Sequence, residues 1–137
     1  MCQSGAVIPR RAAAVLVLGA LALVLVGCTD SEPAPASFLD RPELASCGRA
    51  VLEQGEGIPD DAAGCLESSF TSGAELVVEG PTTEGDPYVT YYRVGPDIEG
   101  IEIFIDSTLD RFGFGWAHQL CPDATSLLDL GECHEVD

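Results

Sequence analysis

Ile101-Glu102-Ile103-Phe104-Ile105-Asp106 decides the fold class of this chain. Its isoleucines alternate with Glu102, Phe104 and Asp106, the two-residue period of a strand that buries one face. Working outward, Glu75–Glu79 (ELVVE) and Tyr88–Val94 (YVTYYRV) precede it and Gly115–Cys121 (GWAHQLC) follows. Gly-, Pro- and Asp-rich turns separate these segments, as in an antiparallel meander. Further upstream, Leu44, Cys47, Gly48 and Val51 fall at i, i+3, i+4 and i+7, which predicts a helix over residues 42–54 ended by Gly55 and Gly57. A second helix is expected from Pro59-Asp60-Asp61, where proline and acids suit a helix N-terminus. Its inner face is Ala62, Cys65, Leu66, Ser69 and Phe70, and Gly73 stops it. The expected architecture is α+β: a four-stranded antiparallel sheet with two short N-terminal helices packed on one face.

The N-terminus carries a different signal. Arg10 and Arg11 precede an apolar run from Ala12 to Val26, and Gly27 stands directly before Cys28. The run, at about 1.5 Å per residue, spans roughly 22 Å, short of the roughly 30 Å hydrocarbon core of a bilayer. Length and flanks favour a cleaved signal over a retained transmembrane helix, and Ala12–Ala14 after the arginine pair favour the general secretion route over twin-arginine export. The Leu25-Val26-Gly27-Cys28 run resembles a lipobox. That resemblance implies a signal peptide over residues 1–27, cleavage before Cys28 and acyl chains (palmitate among them) on Cys28. The expected location is the extracytoplasmic face of the cell membrane, held by lipid. Each buried CH₂ contributes about 0.8 kcal/mol, so two or three chains hold durably where one does not. Residues 28–40 read as the lipidated cysteine and its tether. Within them Pro33 and Pro35 favour extended geometry over Thr29–Ser37, which at about 3.1 Å per residue would lift the domain roughly 25–30 Å. Residues 41–137 are left as one small domain.

Charge and cysteines bound the possibilities. All 23 acids lie beyond residue 27 with four of the six arginines, so the processed chain carries a formal 4 − 23 = −19, and there is no lysine. Such a field repels phosphate backbones, which excludes nucleic acid as a partner, and it pushes the body away from anionic headgroups. A cationic envelope protein or a glycan is the expected partner besides the membrane itself. After Cys2 and Cys28 are set aside, Cys47, Cys65, Cys121 and Cys133 remain, an even number for an oxidising location with three possible pairings. Cys47–Cys65 and Cys121–Cys133 are expected because each pair brackets a compact segment. Zinc would want closer pairs than these spacings give.

The order Glu84-Gly85-Asp86-Pro87, a tyrosine-rich strand, then F-I-D-x-T-x-D-x-F-G over Phe104–Gly113 and a cysteine resembles a family of small Gram-positive bacterial lipoproteins of unknown function. The resemblance covers about residues 75–121. It implies a shared fold and a cell-surface location, and it carries over no catalytic residue.

Asp106, Thr108 and Asp110 present three oxygen-bearing side chains at alternate positions, as the start of a calcium loop would. Gly113 comes late for such a loop and no bidentate glutamate follows, so the competing reading is a hairpin turn capped by Asp and Thr oxygens. Glu84 and Asp86 stand in the same position in the preceding turn. None of G-x-S-x-G, the P-loop motif or H-E-x-x-H occurs, His118 reads as a packed or surface residue, and His134 lies in an acidic tail. If the isoleucines face the helices, Phe104 faces away. Tyr91 or Tyr92, with Tyr88 and Trp116, would then join it in an aromatic patch suited to protein or glycan contact. The leading expectation is a lipid-anchored, non-enzymatic interaction module of the cell envelope with no cofactor. The alternative is a calcium-dependent or carboxylate-based hydrolase-like enzyme using Asp106, Asp110 and Glu84.

Overall fold

A computed structural model describes residues 32–136, so the signal segment 1–27 and Cys28 lie outside the described residues. The elements are α1 (Ala36–Leu39), β1 (Ala45–Val51), α2 (Asp60–Glu67), β2 (Ala74–Pro81), β3 (Pro87–Gly95), β4 (Ile98–Asp106), β5 (Trp116–Cys121) and β6 (His134–Glu135). Six strands form one mixed sheet in the order β1-β2-β3-β4-β5-β6. β1 runs parallel to β2, and every later pairing is antiparallel.

This corrects the expected four-stranded antiparallel sheet with two helices on one face. The four central strands lie where the sequence placed them, but residues 45–51 are a strand rather than part of a helix. The reason is a bulge. Between Ser46↔Glu75 and Arg49↔Val77, β1 advances three residues while β2 advances two. Gly48 takes φ +93° within that step, a conformation that side-chain-bearing residues rarely adopt. The extra residue leaves Cys47 and Ala50 inward three positions apart, whereas Val51, counted in the expected helical stripe, is 66% exposed. α2 forms where expected, after Pro59, with Asp60 and Asp61 complementing the positive end of its dipole.

Leu66 of α2 packs with Leu76 and Val78 of β2, Val94 of β3, Ile101 and Ile103 of β4 and Cys121, all buried. Near the start of β4, where it passes the end of β5, the chain requires Gly100, at φ +68°, because a Cβ there would run into the carbonyls of Cys121 and Pro122. Both expected disulfides are formed. Cys47–Cys65 joins β1 to α2, where two helices had been expected, and Cys121–Cys133 ties the end of β5 to the approach to β6. Each closes a short loop that contributes about 3 kcal/mol through unfolded-chain entropy. That is a large share for so thin a core.

The opposite face of the sheet is covered by the chain's own N-terminal segment. Phe38, within the stretch 28–40 expected as tether, seats its ring 4.7 Å from Tyr91, 5.4 Å from Phe104 and 4.5 Å from Trp116. Phe104 is thereby buried on the side away from α2, and β4 has both faces covered.

Candidate functional site

Strand register builds the site. Glu75 of β2, Arg93 of β3 and Glu102 of β4 are direct cross-strand partners, so their side chains stand in one row on the Phe38 side of the sheet. Arg93 is 2% exposed. Its Nε lies 3.1 Å from Glu75 Oε2, out of line for a hydrogen bond. Its terminal nitrogens donate to Glu102 Oε2 and to the carbonyl of Pro42. Arg41 extends the row by donating to both Glu75 oxygens, at 3.0 and 3.3 Å, with its guanidinium 3.6 Å over the Phe38 ring. At the other end His118 Nε2 meets Glu102 Oε1 at 3.0 Å, while the imidazole stacks on Phe104 at 4.0 Å. Alternation of opposite charges makes burial tolerable here: two guanidiniums and two carboxylates cancel, each held by more than one partner.

Above this row, between the N-terminal segment and the turn from β3 to β4, lies a cleft of about 450 Å³. Its floor is Arg93, Glu102 and His118, and Leu44, Pro96 and Ile98 form apolar walls. Asp40 and Asp97, both exposed, stand at the rim. The groups on the floor are engaged with one another. His118 Nδ1 is walled off from solvent without a hydrogen-bond partner, and Nε2 is occupied by Glu102.

The residues singled out in the sequence are distributed differently. Tyr91, Phe104 and Trp116 do come together, but beneath Phe38 rather than as an open patch. Tyr92 lies on the opposite face, against the core. Burial raises the phenol pKa of Tyr92, with Tyr88 adding to the effect. Burial also raises Tyr91, reinforced by the charge of Asp106. Asp106 Oδ1 accepts from the backbone N–H and hydroxyl of Thr108, at 3.0 and 2.7 Å, and Asp110 Oδ1 accepts from the N–H of Phe112 at 2.9 Å. These three residues therefore cap a turn. Glu84 accepts from the Thr83 hydroxyl. Asp86 takes a two-pronged contact from Arg111, at 2.8 and 3.2 Å, which holds its carboxyl below the usual range. Among the described residues no three His, Cys, Asp or Glu side chains are grouped as a metal ion requires.

Sequence reading missed Arg41, Glu75, Arg93 and Glu102. One signal was available: Arg93 is a lone cation inside an aromatic strand, in a chain of very few cations, with a glutamate in the strand on either side. The chain matches no family model, no curated protein and no solved structure.

Proposed function

We propose that the chain is a lipid-anchored domain on the extracytoplasmic face of the membrane and acts as a non-enzymatic interaction module. The N-terminal signal and the lipoprotein resemblance support the anchor. The cleft between the N-terminal segment and the sheet is the binding site, and a cationic segment of another envelope component is its ligand. One observation carries this reading: apolar walls meet an acidic rim above a floor whose ionic groups are paired with one another. Such a cleft offers contact area and a negative field without a free nucleophile or base. Asp40 and Asp97 attract the cation, while Leu44 and Ile98 take its hydrocarbon stem.

The hydrolase alternative has weaker support, because Asp106, Asp110 and Glu84 each serve a local turn and do not converge on a cavity. A photo-crosslinker at Ile98, in the lipidated protein in its own membranes, tests the binding reading against the same probe at Val51. The expected result is an adduct specific to Ile98 that Leu44→Arg removes while the fold is retained. Identical adducts from both positions would refute the cleft as the site.

A further inference from the structure

The loop from β4 to β5 carries an unexplained feature. Leu109, Phe112 and Phe114 are 65%, 68% and 100% exposed within a stretch of six residues. A soluble surface tolerates scattered apolar side chains, but three large ones on one loop tip mark a contact surface. The loop is held in shape. Ser107 N–H and hydroxyl both donate to the Gly115 carbonyl, Asp110 N–H to Ser107, and Gly113 N–H to Asp110. The Arg111–Asp86 contact braces it against the hairpin between β2 and β3. The rings are thus presented by an ordered support.

Position in the chain says what they face. Glu32 lines the same surface concavity as Thr108, Asp110 and Phe114, and its carboxylate occupies the place a Cβ on Gly115 would take. From there the segment runs along the sheet to Phe38 and on to Pro42 at the far end, beside Arg93. The described chain therefore begins at the end of the sheet that carries this loop. Only Thr29, Asp30 and Ser31 separate Glu32 from Cys28. Four residue steps reach at most about 14 Å even when fully extended.

We infer that Leu109, Phe112 and Phe114 insert into the interfacial layer of the bilayer that holds the lipid on Cys28, an inference that rests on the anchor proposed above. The body then sits on the membrane with this end down and the cleft directed away, rather than hanging some 25–30 Å off on a free tether. Acyl chains and loop form two attachments that fix orientation. The formal −19 of the processed chain opposes anionic headgroups, so the contact is apolar and ordinary salt strengthens it, the reverse of a basic membrane-binding protein.

The test uses the full lipidated chain carrying Phe114→Trp, reconstituted in phosphatidylcholine vesicles with bromine on the upper acyl chain. The expected result is quenched, blue-shifted emission from the new ring beyond any change in the parent protein, which has Trp116 alone. In vesicles that include phosphatidylglycerol, the quenching should rise with salt. For protein stripped of its acyl chains, Phe112→Ser/Phe114→Ser should weaken vesicle flotation by roughly tenfold or more. Mass spectrometry of the Cys28 peptide separates the two readings. Lipid on Cys28 with an unquenched, water-like emission overturns the loop contact and keeps the anchor. An unlipidated Cys28 with flotation that the serine variants abolish keeps the loop contact and overturns the anchor. A blue shift seen only in native membranes, absent from pure lipid vesicles, would point to a protein partner and overturn the inference.

Discussion

Replacing Phe38 by alanine should release the N-terminal segment from the sheet, and its cost follows from the contacts. Half-burial of the ring accounts for about 1–1.5 kcal/mol, half the transfer value of a fully buried phenylalanine. The edge and tilted contacts with Tyr91, Phe104 and Trp116 each add about 0.5–1.5 kcal/mol beyond area. The Arg41 guanidinium over the ring adds about 0.5–1 kcal/mol. These do not sum in full. A loosened segment regains about 1–2 kcal/mol of backbone entropy per residue, which limits the loss. The expected destabilisation is about 2–3 kcal/mol, against roughly 5–15 kcal/mol for a whole domain. Urea unfolding followed by fluorescence reads it directly, because Trp116 is the sole tryptophan and lies against Phe38. Emission of the folded variant should also shift to the red and become accessible to acrylamide. Phe38→Leu, which retains apolar area but not the ring, should lose about 1 kcal/mol. A loss under about 0.5 kcal/mol for the alanine variant, with unchanged emission, would refute the seating of this segment.

Three further outcomes are expected. Arg93→Met should cost about 3–5 kcal/mol in urea unfolding, because Glu75 and Glu102 lose the buried guanidinium between them; adding Glu75→Gln and Glu102→Gln should recover most of it. Tyr92 has a folded pKa above its unfolded value, so its contribution is complete below about pH 10 and is lost as pH rises through the folded value. Tyr92→Phe should therefore flatten the alkaline fall of the melting temperature. Asp86 has a depressed pKa, so its contribution holds above the ordinary carboxylate range and is lost as pH falls through the folded value. Asp86→Asn should remove that part of the acid limb in a thermal scan, and 1 M salt should remove it in the parent too, since the Arg111 contact is exposed.

The central four strands were legible because runs of apolar and aromatic residues stand between turn-forming residues, with a clear two-residue period in β4, and α2 because proline and acids mark its start. The first strand was not. Its single bulge at Gly48 turns the inward spacing of Cys47 and Ala50 into three, and its partner β2 lies beyond a helix. A parallel pairing of that kind leaves no hairpin turn to read. β6 spans two residues, too few for any period, and is placed by the neighbouring Cys133 disulfide and by Val136 N–H on the His118 carbonyl. Tyr91, Phe104 and Trp116 share one face, but they lie covered rather than as the open patch expected, and Tyr92 is on the other face. What local pattern does not reveal is that Phe38 covers these three rings. The ionic row escaped for a related reason: Glu75, Arg93 and Glu102 are far apart in sequence, and only strand register makes them neighbours.

The sheet order repeats the chain order, which shapes how the protein assembles when it emerges N-terminus first. Each newly emerged strand finds its neighbour already waiting, so the sheet zips forward through contacts of modest sequence separation. The exception is the short segment that precedes β1. Phe38 has no complete seat until Tyr91, Phe104 and Trp116 have all arrived, some 78 positions later at the last of them. The segment around Phe38 is therefore the last to settle. Until it does, the aromatic side of the sheet stays open to chaperones, or to the same side of another unfinished copy.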